Sequence, residues 1–186
     1  MKKLFLAIAA LLLTSVTFAQ TADELKAERQ QLKAELTSKD YQKIEKKYEK
    51  LGDKPGETTL NSVNGVVDAS ASILDAVKSS DDLLKGYKEN LIASEDGNVD
   101  MAKYSANLED YIKAAKDLVE ASKNAKSATE QMKSVKDDVK KLKPLEAKNA
   151  AKPVNWASSA LEISTYKIDL NTRLINSIIK GCQAAK

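Results

Sequence analysis

The chain has 186 residues, 31% of them charged, with 30 Lys and Arg against 27 Asp and Glu. Two of the basic residues, Lys2 and Lys3, fall in an N-terminal leader, so the remainder is close to neutral. Affinity for phosphate backbones rests on unbalanced positive charge, and no nucleic-acid partner is expected; the absence of histidine also removes His-based triads, Cys–His dyads and ordinary zinc sites.

The first element is the leader "MKKLFLAIAALLLTSVTFAQ". A basic start, an apolar run over residues 4–13 and small residues at Thr17 and Ala19 form the three parts of a secretory signal peptide cleaved after Ala19. The apolar run is too short for a spanning helix, which needs about 20 residues. The pattern predicts a periplasmic or secreted protein, with residues 1–19 as signal peptide and 20–186 as a single helical domain. Cys182 is the only cysteine, so an internal disulfide is impossible and the fold must be stable without one.

Few glycines and prolines interrupt the rest, and they gather in "GDKPGE" (52–57), "SEDGN" (94–98) and "KPLEAKNAAKP" (143–153). The four segments between these breaks have helical period, and none shows the alternation of a strand. In residues 22–51, Leu25, Leu32, Leu36, Tyr41, Ile44, Tyr48 and Leu51 form a narrow stripe among Lys, Glu and Gln. Its phase slips near residues 37–40, where Thr37 and Asp40 have capping-box spacing and a helix break is expected. In residues 58–94, Leu60, Val63, Val67, Leu74 and Val77 make one line, widened by Val66 and Ile73. "NGVVDASASILDAV" (64–77) is the least charged part of this line and is expected in the core. Asp81 points along the apolar direction, so a second break is expected near residues 79–82.

Residues 99–143 carry a heptad-like seam: Met101, Tyr104, Leu108, Tyr111, Ala115 and Leu118, then Ala121, Ala125, Ala128, Met132, Val135, Val139 and Leu142. Residues 154–182 repeat Val154, Ala157, Leu161, Ile168, Ile175, Ile178 and Cys182, with Ser164 and Asn171 inside the stripe. Cys182, in the last turn, reads as a small buried hydrophobe rather than half of a dimer disulfide. Short connections imply antiparallel neighbours. The predicted fold is all-α: an elongated antiparallel four-helix bundle with breaks near residues 37–40 and 79–82.

The chemistry-bearing patterns are weak. Asp96, Asn98 and Asp100 start with calcium-loop spacing, but Met101 stands where glycine belongs and Asn107 where the closing glutamate belongs. Glu109–Asp110 and Asp137–Asp138 are adjacent on helices and diverge by about 100°. Lys140, Lys141 and Lys143 complement a helix C-terminus. Trp156 reads as packing over a bundle end, and Tyr104 and Tyr111 as core. This assigns no catalytic, cofactor-binding or metal residue.

The expectation is a non-enzymatic exported protein that binds or scaffolds a protein partner or another copy of itself, needing no cofactor. Residues 22–51 bury least and are the segment most suited to detach. The alternative is an apolar-ligand-binding or membrane-active bundle in which residues 62–77 meet lipid; an enzyme with carboxylate chemistry is a third class. The intact mass of the exported protein should match a chain starting at Gln20, and a mass retaining Met1 would remove the leader assignment.

Overall fold

The computed structural model describes residues 21–185; the leader proposed for residues 1–19 lies outside them. All six elements are helices that pack against one another, and no strand occurs among the described residues. They are α1 (Ala22–Leu36), α2 (Lys39–Lys50), α3 (Asn61–Ala93), α4 (Ala102–Ser105), α5 (Leu108–Val139) and α6 (Pro144–Ala184).

Local chemistry sets the ends. Thr21 and Glu24 form a reciprocal capping box that starts α1. The expected break at 37–40 is present, with different caps. Thr37 turns its hydroxyl back to the Lys33 and Ala34 carbonyls and closes α1. Ser38 accepts from the Tyr41 N–H and opens α2, while Asp40 pairs with Lys43.

The expected break at 79–82 is absent, because α3 runs unbroken for 33 residues. Its buried face steps through Ile73, Val77, Ser80, Leu84, Tyr87 and Leu91 by threes and fours. Ser80, not Asp81, sits on the inner line, and its hydroxyl bonds the Val77 carbonyl within the helix. The third segment is shorter than its seam suggested. Met101 and Tyr104 are buried in the short turn around α4, and the long helix begins only at Leu108.

The fourth segment is longer than expected. Pro144 occupies the first turn of α6, where its missing N–H costs nothing. The 41-residue helix then continues through Pro153. That proline removes the bond to the Asn149 carbonyl, yet its ring is buried and the helix holds.

Contacts fix the helix directions. Asp81 meets Lys167 and Asn171, and Tyr87 meets Ser177, so α3 and α6 run parallel. Lys136 near the end of α5 reaches Ser158, and Cys182 near the end of α6 reaches Met101 ahead of α5, so α5 runs against α6. Glu35 meets Arg173, Glu28 meets Lys180 and Lys47 meets Glu162, so α1 and α2 also run against α6. The three long helices pack mutually, and α6 additionally touches α1, α2 and α4. This central place explains why α6 buries side chains on nearly every side between Ala157 and Cys182. Ala121, Ala125 and Ala128 on α5 and Ala157 and Ala160 on α6 are buried, and small side chains allow close helix approach.

The stretch 64–77 is core on its inner face: Val66, Val67, Ser70, Ile73 and Val77 are buried. Its two charges point outward, Asp75 into solvent and Asp68 toward Lys54. Leu74, placed on the inner line by period, is only half-buried, and Ile73 takes the inner position. Val67→Asp and Val77→Asp should each cost about 4 kcal/mol or more by placing an unpaired charge in the core. Leu74→Asp should cost less than half of that, since its charge can reach water. Urea denaturation of the three variants checks the orientation of α3; equal losses would contradict it.

Candidate functional site

The most unusual feature of the interior is a set of charges where α3 and α6 meet beneath α2. The Lys167 side chain is 2% exposed, and its Nζ lies 2.7 Å from Asp81 Oδ2 and 2.5 Å from Glu45 Oε1. Asp81 Oδ1 also receives Lys88 Nζ at 2.5 Å and Asn171 Nδ2 at 2.9 Å. Asn171 Nδ2 bonds Ser80 Oγ at 2.9 Å as well. The Tyr48 ring lies 4.6 Å from the Lys167 ammonium, a cation–π contact. Two ammoniums and two carboxylates therefore share one site, with α2 contributing Glu45 and Tyr48.

Partner number sets the protonation behaviour. Burial alone would raise the Asp81 carboxyl, but the Lys88 and Lys167 ammoniums and their hydrogen bonds hold it below its ordinary value. Burial alone would depress Lys167, but two carboxylates, Asp81 and Glu45, reverse that and raise it. Burial does depress Lys88, because Asp81 offsets it only in part. Lys167 thus stays an ammonium at neutral pH, a hydrogen-bond donor and cation rather than a nucleophilic amine. Burial first, then Glu45, raises the Tyr41 hydroxyl, so Tyr41 remains a neutral phenol beside the cluster.

Weak apolar anchoring accompanies this charge. Ile44, at 9% exposure, is the buried residue of α2. Burying one isoleucine is worth about 1.5–3 kcal/mol. The half-buried Tyr41 also packs against the core. The other ties are polar: Glu45 and Tyr48 to Lys167, Lys47 to Glu162, and Trp156 Nε1 donating to the Gly52 carbonyl just past the helix. By contrast, α1 buries Leu25, Leu32 and Leu36. It is also tied to the 94–98 turn by Lys33 to the Ser94 carbonyl and Lys26 to Asp96.

The patterns weighed in the sequence go elsewhere. Asp96, at φ 54°, pairs with Lys26, and Asp100 accepts from the Ala102 N–H. Among the described residues no group of three or more His, Cys, Asp or Glu is placed to hold a metal. Glu109 and Asp110 are exposed in the first turn of α5, and Asp137 and Asp138 pair with Lys140 and Lys141 on the surface. Lys143 is the exposed N-cap of α6. Tyr104 packs edge-on against both Tyr87 and Tyr111 in the core, and Cys182 is buried with its thiol donating to the Met101 carbonyl. The sequence reading passed over Lys88 and Lys167. The available signal was polar residues recurring in the α6 stripe at Ser164, Lys167 and Asn171, opposite an acidic residue on the apolar side of α3.

Two further features lie away from the charge cluster. Arg29, 8% exposed, packs against Gly181, where a Cβ would collide with its Nη2. Its Nε and Nη2 make no hydrogen bond. An open cleft of about 440 Å³ lies between the 55–60 loop and the first turns of α6, lined by residues such as Thr58, Glu146, Asn149 and Lys152. No helix among the described residues is long and apolar enough to cross a membrane. No family model, curated protein or solved structure matches the chain.

Asp81→Asn should cost about 3–5 kcal/mol at neutral pH, because it leaves two buried ammoniums short of a carboxylate. The folded pKa of Asp81 lies below the ordinary 3.8, so its contribution is present above that value and is lost as pH falls through the folded one. The stability gap between parent and variant should therefore narrow below pH 3.8. Urea melts at pH 7 and near pH 3 measure it; a gap that does not change with pH would rule out the ionised role.

Proposed function

We propose that the chain is an exported, non-enzymatic helical-bundle protein that acts as a protein-binding or scaffolding module. In this reading α1 and α2 together stand as the fourth member of an elongated antiparallel bundle with α3, α5 and α6. The observation that carries the proposal is the contrast in anchoring: α3, α5 and α6 share a continuous apolar core, whereas α2 brings to it the half-buried Tyr41, one buried isoleucine and a set of charges. A helix held this way can exchange its contacts for those of another protein without disturbing the core.

The membrane-active alternative needs the apolar face of residues 62–77 to be open. That face is packed inward, and the residues exposed along it are polar or small. This favours the protein-binding reading.

Native mass spectrometry of the exported protein tests it. The expected spectrum shows the folded chain in a complex of protein mass, either a second copy or a defined partner. A folded chain that carries a stoichiometric small apolar adduct and no protein would favour the alternative.

A further inference from the structure

We propose that the groove under α2 is a docking site for a carboxylate-bearing helical segment of a partner protein, and that α2 occupies it as an internal stand-in. The inference rests on the protein-binding reading and specifies where and what that site binds.

Charge complementarity selects the occupant. With α2 lifted, the deep part of the groove presents Lys88 and Lys167 against Asp81, while Glu162 at the rim loses Lys47 and Asp82 stays on the exposed side of α3. Lys167 is buried only while α2 covers it, and with α2 lifted its remaining ion-pair partner is Asp81. The group that completes it is the Glu45 carboxylate, delivered from α2 at 2.5 Å. An occupant must therefore bring one carboxylate to Lys167.

The other contacts of α2 define the rest of the ligand. Ile44 supplies an apolar anchor beside Glu45, and the Tyr48 ring, one turn later, faces the same ammonium. Helical spacing brings i and i+3 to one face, so the recognised pattern is an aliphatic residue, an acid and, three positions on, an aromatic ring. The connections suit release: α2 is separated from α1 by the Thr37–Ser38 break and from α3 by a non-helical stretch, residues 51–60. Each can act as a hinge while α1 stays seated by its own leucines and by the 94–98 turn.

Two measurements on the intact chain test the proposal. Hydrogen exchange should show α2 amides opening at least about 100-fold more readily than those of α3 and α6, a sub-global opening. Equal protection of α2 and the core would overturn it. The second probe is a labelled peptide of residues 38–52, the chemistry of the expected ligand in isolated form. It should bind a Glu45→Gln chain at least tenfold more tightly than the parent, and a Glu45→Gln version of the peptide should lose that gain. Binding that ignores the peptide carboxylate, or no binding to a variant whose circular dichroism is still helical, would overturn the docking site. Should Glu45→Gln unfold the chain, a Lys47→Ala chain, which loosens α2 at its Glu162 contact, takes its place with the same expected ordering. If the groove fails these tests while native mass spectrometry still shows a protein complex, the docking site is wrong and the binding-module reading stands; if the complex is absent too, both fall.

Discussion

The Asp81 carboxylate is shared by two ammoniums and an amide, and the arrangement of the long helices depends on that sharing. Removing four charged groups from water is unfavourable, and an apolar replacement of the same shape is often at least as stable. What the charges contribute here is register. Ser80 and Asp81 meet Asn171 and Lys167, and six residues further along each helix Tyr87 meets Ser177. A slip of one turn between α3 and α6 would separate Asp81 from Lys167 and Asn171 and Tyr87 from Ser177 together. Apolar seams alone tolerate such slips, because one isoleucine or alanine resembles the next; a buried ammonium does not.

The same cluster divides the molecule into two kinds of interface. On the α5 side, rows of buried alanines face aliphatic side chains of α3 and α6, and the contact is close and apolar. On the α2 side, the contact is ionic and aromatic, and Glu45 remains 31% exposed. Water can compete for the second interface as soon as α2 moves, and it gains little from the first. Local stability follows: elements with few buried apolar contacts open at lower free energy than the core.

Period alone located most of this. The stripes of α3, α5 and α6 were legible because buried residues recur by threes and fours over many turns, and the Gly- and Pro-rich stretches marked two of the real connections. Errors arose where a local rule met a distant partner. Asp81 on the apolar side of α3 looked like an interruption, since its partners lie 86 and 90 residues away in the chain and one turn or two along its own helix. Pro153 looked like a boundary because proline removes a helix bond, but the helix around it is buried against two long neighbours and loses less by continuing than by ending. The cap at residue 38 was missed by one position: Ser38 and Thr37 are both able caps, and only the backbone shows which hydroxyl faces forward. Lys167 was invisible for a different reason. A lysine in an amphipathic helix is read as solvent-facing by composition, and its burial follows from α6 being enclosed by its neighbours rather than lying at the surface.

That enclosure connects fold and site. A helix buried on one stripe can keep its charges outside, whereas a helix touched by five others has little outside left. Along α6, polar side chains therefore had to find partners within the protein, and the pairs formed at the elements packed on it: Arg173 with Glu35 of α1, Lys180 with Glu28 of α1, Glu162 with Lys47 and Lys167 with Glu45 of α2. Of these, only Lys167 is both fully buried and tied to α3 as well as to α2. Loss of a rim pair exposes two charges that water readily accepts. Loss of Glu45 leaves the Lys167 ammonium with Asp81 as its remaining carboxylate, and the docking proposal places a second carboxylate at the vacated position. In that proposal the selectivity of the groove originates in the central placement of α6, and the limited apolar hold on α2 is what would open it.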